Sequence, residues 1–352
     1  MRSEQAYYPA MDWLRLASAF AVLLFHLGWS GAGGGEAALL VGAGGLSVPG
    51  RDLLWRHGSV GVPIFFVISG FVIAGSAEGG GARRFVRRRI ERLYPAVLVC
   101  APVSALVWWA AGRPFGTGLA LLARSLSLLP GTHWVDPPYW TLGVEVAFYA
   151  YVFCLLAAGG ERLLKPGAIA LALASAALWG FFLMRGHGTS PAWMLPLYWG
   201  MHFALGALLH FARSGRLGAW GAAVAIAAGT AGAVQTMQLL TPEWTSFAPT
   251  LLWLSGAAIV GLAPARPVAT HRRARLAGLT TYPLYLLHFG LGLAMMGQLV
   301  RRGAPPLVAL AAAAALLVVA AYLIARFAEP RVGSALRRGL DRTGLFAAAD
   351  PG

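Results

Sequence analysis

The chain carries little charge, and almost all of its positive charge is of one kind. Only 12% of its 352 residues are Asp, Glu, Lys or Arg; acids number 13, and a single lysine, Lys165, accompanies 27 arginines. A soluble globular domain carries about twice that charged fraction, so a water-exposed fold is excluded. Cysteine is scarce as well. Cys100 and Cys154 have no spacing partner for a metal site or a disulfide framework, and both fall in apolar runs, where they read as small core residues. There is no cleavable leader pattern at the start, no internal repeat, and no polar stretch long enough for an appended soluble domain.

What fills the chain instead is hydrophobicity, with 58% apolar residues and a mean hydropathy of +0.65. A hydrocarbon core of about 30 Å takes roughly 20 apolar residues in a helix. Apolar runs bounded by charged or Gly/Pro-rich breaks predict ten such spans, at 12–30, 58–77, 93–112, 138–158, 166–184, 191–211, 217–236, 246–263, 279–300 and 305–327. The expected fold is an all-α polytopic transmembrane bundle forming one domain over 1–345, with a short disordered tail at 346–352.

A net charge of +15 would suit nucleic acid, but the position of the cations argues otherwise. With the N-terminus in the cytoplasm, the loops on that side hold 19 Lys/Arg and the opposite loops seven. This is the positive-inside pattern; it predicts both termini in the cytoplasm and a multi-pass protein of the cell (inner or plasma) membrane. The bilayer is then the expected partner, and nucleic acid is not.

Two ionisable residues sit inside the first apolar run, "WLRLASAFAVLLFHLGW". Arg15 and His26 are eleven residues apart, which puts them on one helix face with an axial separation of about 16 Å. Asp12, three residues before Arg15, is placed to pair with its guanidinium. His26 lies toward the outer side, where an ionisable group marks function unless it merely bonds a neighbouring helix. The fourth span, "PPYWTLGVEVAFYAYVF", places Glu145 at a similar depth, so the sequence predicts that Glu145 orients His26 and raises its basicity; an ion pair that only locks the bundle is the alternative. In the second span, Ser69-Gly70 permits close helix approach. On the inner side "RRFVRRRIERLYP" packs six arginines into ten residues, and Arg89 and Arg92 at the mouth of the third span suit a phosphorylated ligand, or a topology anchor. The ninth span, "LTTYPLYLLHFGLGL", brings in Tyr282, Tyr285 and His288.

These pieces resemble, in order, the motifs of the acyltransferase 3 family of membrane O-acyltransferases. Arg15 and His26 with ten residues between, "GVPIFFVISGFVI", "RRRIERLYP", "YWTLGVEVAFY", "YPLYLLHF" and "RFAEP" carry the resemblance from residue 11 to about 330. It implies transfer of an acyl group, acetyl by default, from a coenzyme A thioester to a hydroxyl of a carbohydrate, glycolipid or secondary metabolite, with no metal. His26 and Glu145 would be catalytic, with His26 the general base. Arg15, Arg89 and Arg92 would hold the donor, and Ser69, Trp140, Tyr149, Tyr285 and His288 would line the path. Two departures stand out: Val146 follows Glu145 where the family commonly has a second acid, and Pro63 follows "GV" where an acidic or small polar residue is usual. A transporter or flippase for a glycan or lipid precursor is the competing class, since buried charges and many spans suit it too.

Overall fold

In a computed structural model the protein is described over residues 7–29, 36–42, 45–51, 55–131, 133–185, 196–240, 247–267, 271–343 and 346. Fourteen α-helices are found among the described residues: α1 (Pro9–Gly28), α2 (Ala37–Val41), α3 (Gly61–Ala77), α4 (Gly81–Ala110), α5 (Phe115–Ser127), α6 (Trp140–Gly159), α7 (Leu164–Met184), α8 (Gly200–Arg213), α9 (Ala219–Leu240), α10 (Ala248–Leu262), α11 (Arg272–Leu287), α12 (Gly290–Arg301), α13 (Pro306–Leu323) and α14 (Glu329–Arg342). The fold is an all-α helical membrane bundle. The described extended structure is one isolated bridge, Tyr7 to Arg266.

Each predicted span overlaps one of these helices. By length and apolar composition six helical stretches can cross a membrane, seven if a bent pair counts as one. The figure is below ten for three reasons. The stretch Pro137–Met184 contains both α6 and α7, α8 and α10 have only 14 and 15 residues, and the ninth span is broken into α11 and α12, bent by 70°. The start of the sixth predicted span, 191–195, and residues 347–352 of the predicted tail lie outside the described residues. The third span begins earlier than expected, because α4 runs 30 residues and carries the arginine-rich motif on the same continuous helix. The outer segment 113–137, which reads as loop, contains α5.

Large apolar residues fill the core, with Trp108, Trp253, Phe71 and Phe203 fully buried, and others such as Leu106, Trp220, Ile226 and Leu262 are exposed, as a lipid-facing surface requires. Cys100 is buried in the core, but Cys154 is exposed on α6, correcting its expected core position. It lies beside the exposed Phe153 on a lipid-facing stripe, and an apolar run alone cannot tell that stripe from the core.

Glycine sets the tightest contact. A Cβ on Gly70 of α3 would collide with the Phe203 carbonyl of α8, and one on Gly206 of α8 would collide with the Val67 carbonyl of α3. The two helices therefore meet backbone to backbone at the depth of Ser69. Beyond the end of α4, Arg113 is almost wholly buried with its guanidinium 4.0 Å above the Trp108 ring; it donates to Glu36 (2.7 Å) and to the Val135 carbonyl (3.0 Å). Trp108 in turn donates to Asp136 at 2.6 Å. Asp136 abuts Gly290, where a Cβ would sit 2.6 Å from its Oδ1, so this lock reaches the start of α12.

Two outcomes follow. Gly70→Ala should lower stability by about 1–3 kcal/mol from overpacking, although alanine is the better helix former by about 1 kcal/mol; thermal melting of the detergent-solubilised protein reads the sign. Burial pushes the Asp136 carboxyl above its ordinary range, so its neutral form suits the fold and its contribution is present in acid and lost as pH rises through the raised value. Asp136→Asn keeps an acceptor for Trp108. It should be at least as stable as the wild type in alkaline buffer, with the difference shrinking in acid.

Candidate active site

A cavity of about 830 Å³ enters the bundle from the end where α1 begins. It is lined by Tyr7, Tyr8, Arg88, Arg89, Arg92 and Arg275, by Arg15, Ser69, Glu145, Tyr149 and Tyr282, and by Val62, Phe65, Thr141 and Tyr285. The walls come from six helices, α1, α3, α4, α6, α8 and α11, drawn from both halves of the chain.

The arginines are not equivalent. Arg15 donates to Asp12 Oδ1 at 2.8 Å, and Asp12 Oδ2 accepts from Tyr7 at 2.9 Å, so the Arg15 charge is largely answered within the protein. Burial beside Asp12 holds the Tyr7 hydroxyl above the ordinary tyrosine range, keeping it a neutral donor. Arg87 is bound to Glu91 (2.8 Å) and to Asp341 of α14 (2.6 Å). Arg88 donates to the Ser76 carbonyl. Arg89 lies over the rings of Phe85 and Tyr149 (5.5 and 5.6 Å), and its Nε is buried with no partner among the described residues. Arg92 lies 5.7 Å over Tyr282, whose buried hydroxyl is also unpartnered there. Cations held by ring faces, with a donor left over, fit an anionic ligand such as a phosphate.

Deeper in, Glu145 Oε1 accepts from Ser69 Oγ at 2.9 Å and from Tyr149 at 2.7 Å. Thr141 donates to the Tyr285 hydroxyl at 3.0 Å, and the Tyr285 ring meets Phe65 edge-on at 5.6 Å.

His26 is not among the lining residues, and its partner is not Glu145. His26 Nδ1 lies 3.0 Å from His288 Nε2 and 3.1 Å from the Val22 carbonyl, while His288 Nδ1 lies 2.6 Å from the Tyr285 carbonyl. The expected pairing of His26 with Glu145 is therefore replaced by a pair of histidines. Depth along two helices is readable from rise per residue, but the bearing of each side chain around its helix is not. Arg15 and His26 do share α1, yet only Arg15 opens on the cavity. Trp140 also lies off the cavity, packed with Phe66 and Trp199. Ser69, Tyr149 and Tyr285 do line it.

Several lining groups were not singled out from the sequence. Tyr7, Tyr8 and His210 gave no signal beyond being polar residues near span ends, and Thr141 sits in a motif noted for its neighbours. Arg275 belongs to a cationic loop read only as a topology signal. Asp136, directly before "PPYW", lies off the cavity in the lock with Trp108 and Gly290, and an acid at the edge of an apolar run is its signal in the sequence. Among the described residues no group of three His, Cys, Asp or Glu side chains is arranged to hold a metal ion.

An arginine-lined cavity in a helical membrane bundle, with a histidine pair beside its Tyr285 wall, has the charge to receive an anionic ligand. A family model described as an acyltransferase domain matches residues 8–326, and the chain belongs to this acyltransferase 3 family. It is 28% identical over 268 residues to BcsY of Komagataeibacter xylinus, a protein named as a membrane-bound transacylase; the match covers 68% of this chain and 61% of that protein. It is 32% identical over 103 residues to MdmB of Streptomyces mycarofaciens, named as an acyltransferase, covering 26% of this chain and 27% of that one. The chain thus spans less than two thirds of either relative's length. No solved structure matches it.

If Arg89 and Arg92 supply the free positive charge, Arg89→Ala with Arg92→Ala should weaken inorganic pyrophosphate binding by about tenfold or more, since charge-assisted bonds are worth about 1.5–3 kcal/mol each. Isothermal calorimetry on the solubilised protein measures this, and unchanged binding would leave them as topology anchors.

Proposed function

We propose that the protein is an O-acyltransferase of the cell membrane that moves an acyl group, acetyl by default, from a coenzyme A thioester to a hydroxyl of a carbohydrate, glycolipid or related acceptor. Residues 1–345 form the single transmembrane unit, crossing ten times with both termini in the cytoplasm. The observation that carries this reading is the cavity itself: unneutralised Arg89 and Arg92 on its wall, and on the same wall Tyr285, whose backbone carbonyl contacts His288, which in turn meets His26.

In this reading Arg89 and Arg92 grip the donor's phosphates. Arg15, its charge balanced by Asp12, is a fixed wall of the same channel, and its axial separation from His26, about 16 Å, is similar to the reach of a pantetheine arm. Glu145 takes a different part from the one the sequence suggested. Its carboxylate, ordered by Ser69 and Tyr149, accepts from an N–H of the arm rather than from His26. The acyl end passes the Phe65–Tyr285 layer to reach His26, which removes the proton of the acceptor hydroxyl; that hydroxyl is too weak an acid to attack unaided.

The test is transfer of label from acetyl-coenzyme A by the purified protein, in nanodiscs, to a glycan extract of its host membrane. His26→Ala should lower transfer by about 10²–10⁴-fold, the usual worth of a general base. Undiminished transfer in that variant excludes His26 as the base. Solute uptake without acyl transfer in proteoliposomes would make the protein a transporter instead.

A further inference from the structure

Resting on the reading of His26 as the base, we propose that His288 is its positioning residue, filling from the broken ninth span the place that a carboxylate fills in a Ser-His-Asp triad. The argument is one of proton inventory. A backbone carbonyl only accepts, so the 2.6 Å contact between His288 Nδ1 and the Tyr285 oxygen requires the proton on Nδ1. In a neutral ring the other nitrogen, Nε2, then carries a lone pair. That lone pair faces His26 Nδ1 at 3.0 Å, and the Val22 carbonyl faces the same nitrogen at 3.1 Å. Both partners accept, so the proton of His26 sits on Nδ1 and is shared between them. His26 Nε2 is left unprotonated, the state a base must have, and it has no partner among the described residues.

The fold makes this arrangement hard to escape. His288 is fully buried, and the edges of Phe25 and Phe289 flank the His26 ring at 4.9 and 5.3 Å. His288 stands at the 70° break between α11 and α12, and the first residue of α12, Gly290, lies against Asp136 and Trp108. Among the described residues the titratable group in hydrogen-bond contact with His26 is His288; Glu145 is engaged elsewhere by Ser69 and Tyr149.

The chemistry balances without a carboxylate. As the acceptor oxygen bonds to the thioester carbonyl carbon, its proton goes to His26 Nε2, and the positive charge is shared with His288 through the Nδ1 proton. When the C–S bond breaks, the thiolate leaves with the Nε2 proton, giving ester and thiol and restoring both neutral rings.

Two substitutions separate positioning from bulk structure. His288→Gln keeps an oxygen acceptor near the Nε2 position; His288→Phe keeps the ring volume and removes the acceptor. In ¹⁵N-histidine-labelled full chain in nanodiscs, with the His26 signals assigned by their absence in His26→Ala, the wild type and His288→Gln should show one His26 tautomer, protonated at Nδ1. His288→Phe, left with the Val22 carbonyl as the remaining acceptor at Nδ1, should show a measurable fraction of the Nε2-protonated tautomer. In the acetyl-coenzyme A assay, His288→Phe should lower kcat by about 10²-fold or more while donor KM stays unchanged, and His288→Gln should recover to within about tenfold of the wild type. A single unchanged His26 tautomer in His288→Phe overturns the inference, as does wild-type kcat in that variant. Absence of transfer by the wild type would instead overturn the acyltransferase reading, and the spectra would still decide the histidine pair.

Discussion

The 70° break between α11 and α12 is the constraint on which the site depends. A helix interrupted inside a bundle exposes backbone groups that lipid cannot satisfy, so protein must cover them. Here the covering comes from Asp136, Trp108 and Arg113, a buried polar chain ending at Gly290. The break places the His288 ring at right depth and bearing to meet His26 on α1, and it places the Tyr285 carbonyl where His288 can donate to it. Removed from this geometry, the two histidines would be isolated polar groups in an apolar bundle, each costing a few kcal/mol.

Charge is distributed with similar economy at the other end. Of the arginines beside the cavity, Arg15 and Arg87 are answered by Asp12, Glu91 and Asp341, while Arg89 and Arg92 lean on aromatic faces. Ring faces hold a guanidinium without neutralising it, so its field stays available to a ligand. The C-terminal helix α14 takes part by drawing Arg87 away from its neighbours through Asp341.

Much of the architecture was legible in the sequence because hydrocarbon thickness fixes the length of an apolar run, and each of the ten runs overlaps a helix. The short helices α2 and α5 were not legible, since α2 has only five residues and α5, at 13 residues, is too short to stand out as a span. The pair Asp12 and Arg15 was readable because three residues on one helix fix a contact. The partner of His26 was not, because His288 is 262 residues away and nothing in a single sequence sets the rotation of α11 about its axis. Matched depth made Glu145 an attractive partner, and azimuth gave that place to His288. Cys154 shows the same limit, since a small apolar residue in a span faces core and lipid with equal ease.

The reciprocal contact of Gly70 and Gly206 has a consequence for how such a chain can change over time. Each glycine opposes a main-chain oxygen of the other helix, not a side chain. Enlarging one therefore cannot be offset by trimming the residue it touches, as happens where two side chains share a fixed volume. The crossing of α3 and α8 is closed to compensatory exchange, and drift in the surrounding sequence must leave this one seam as it is.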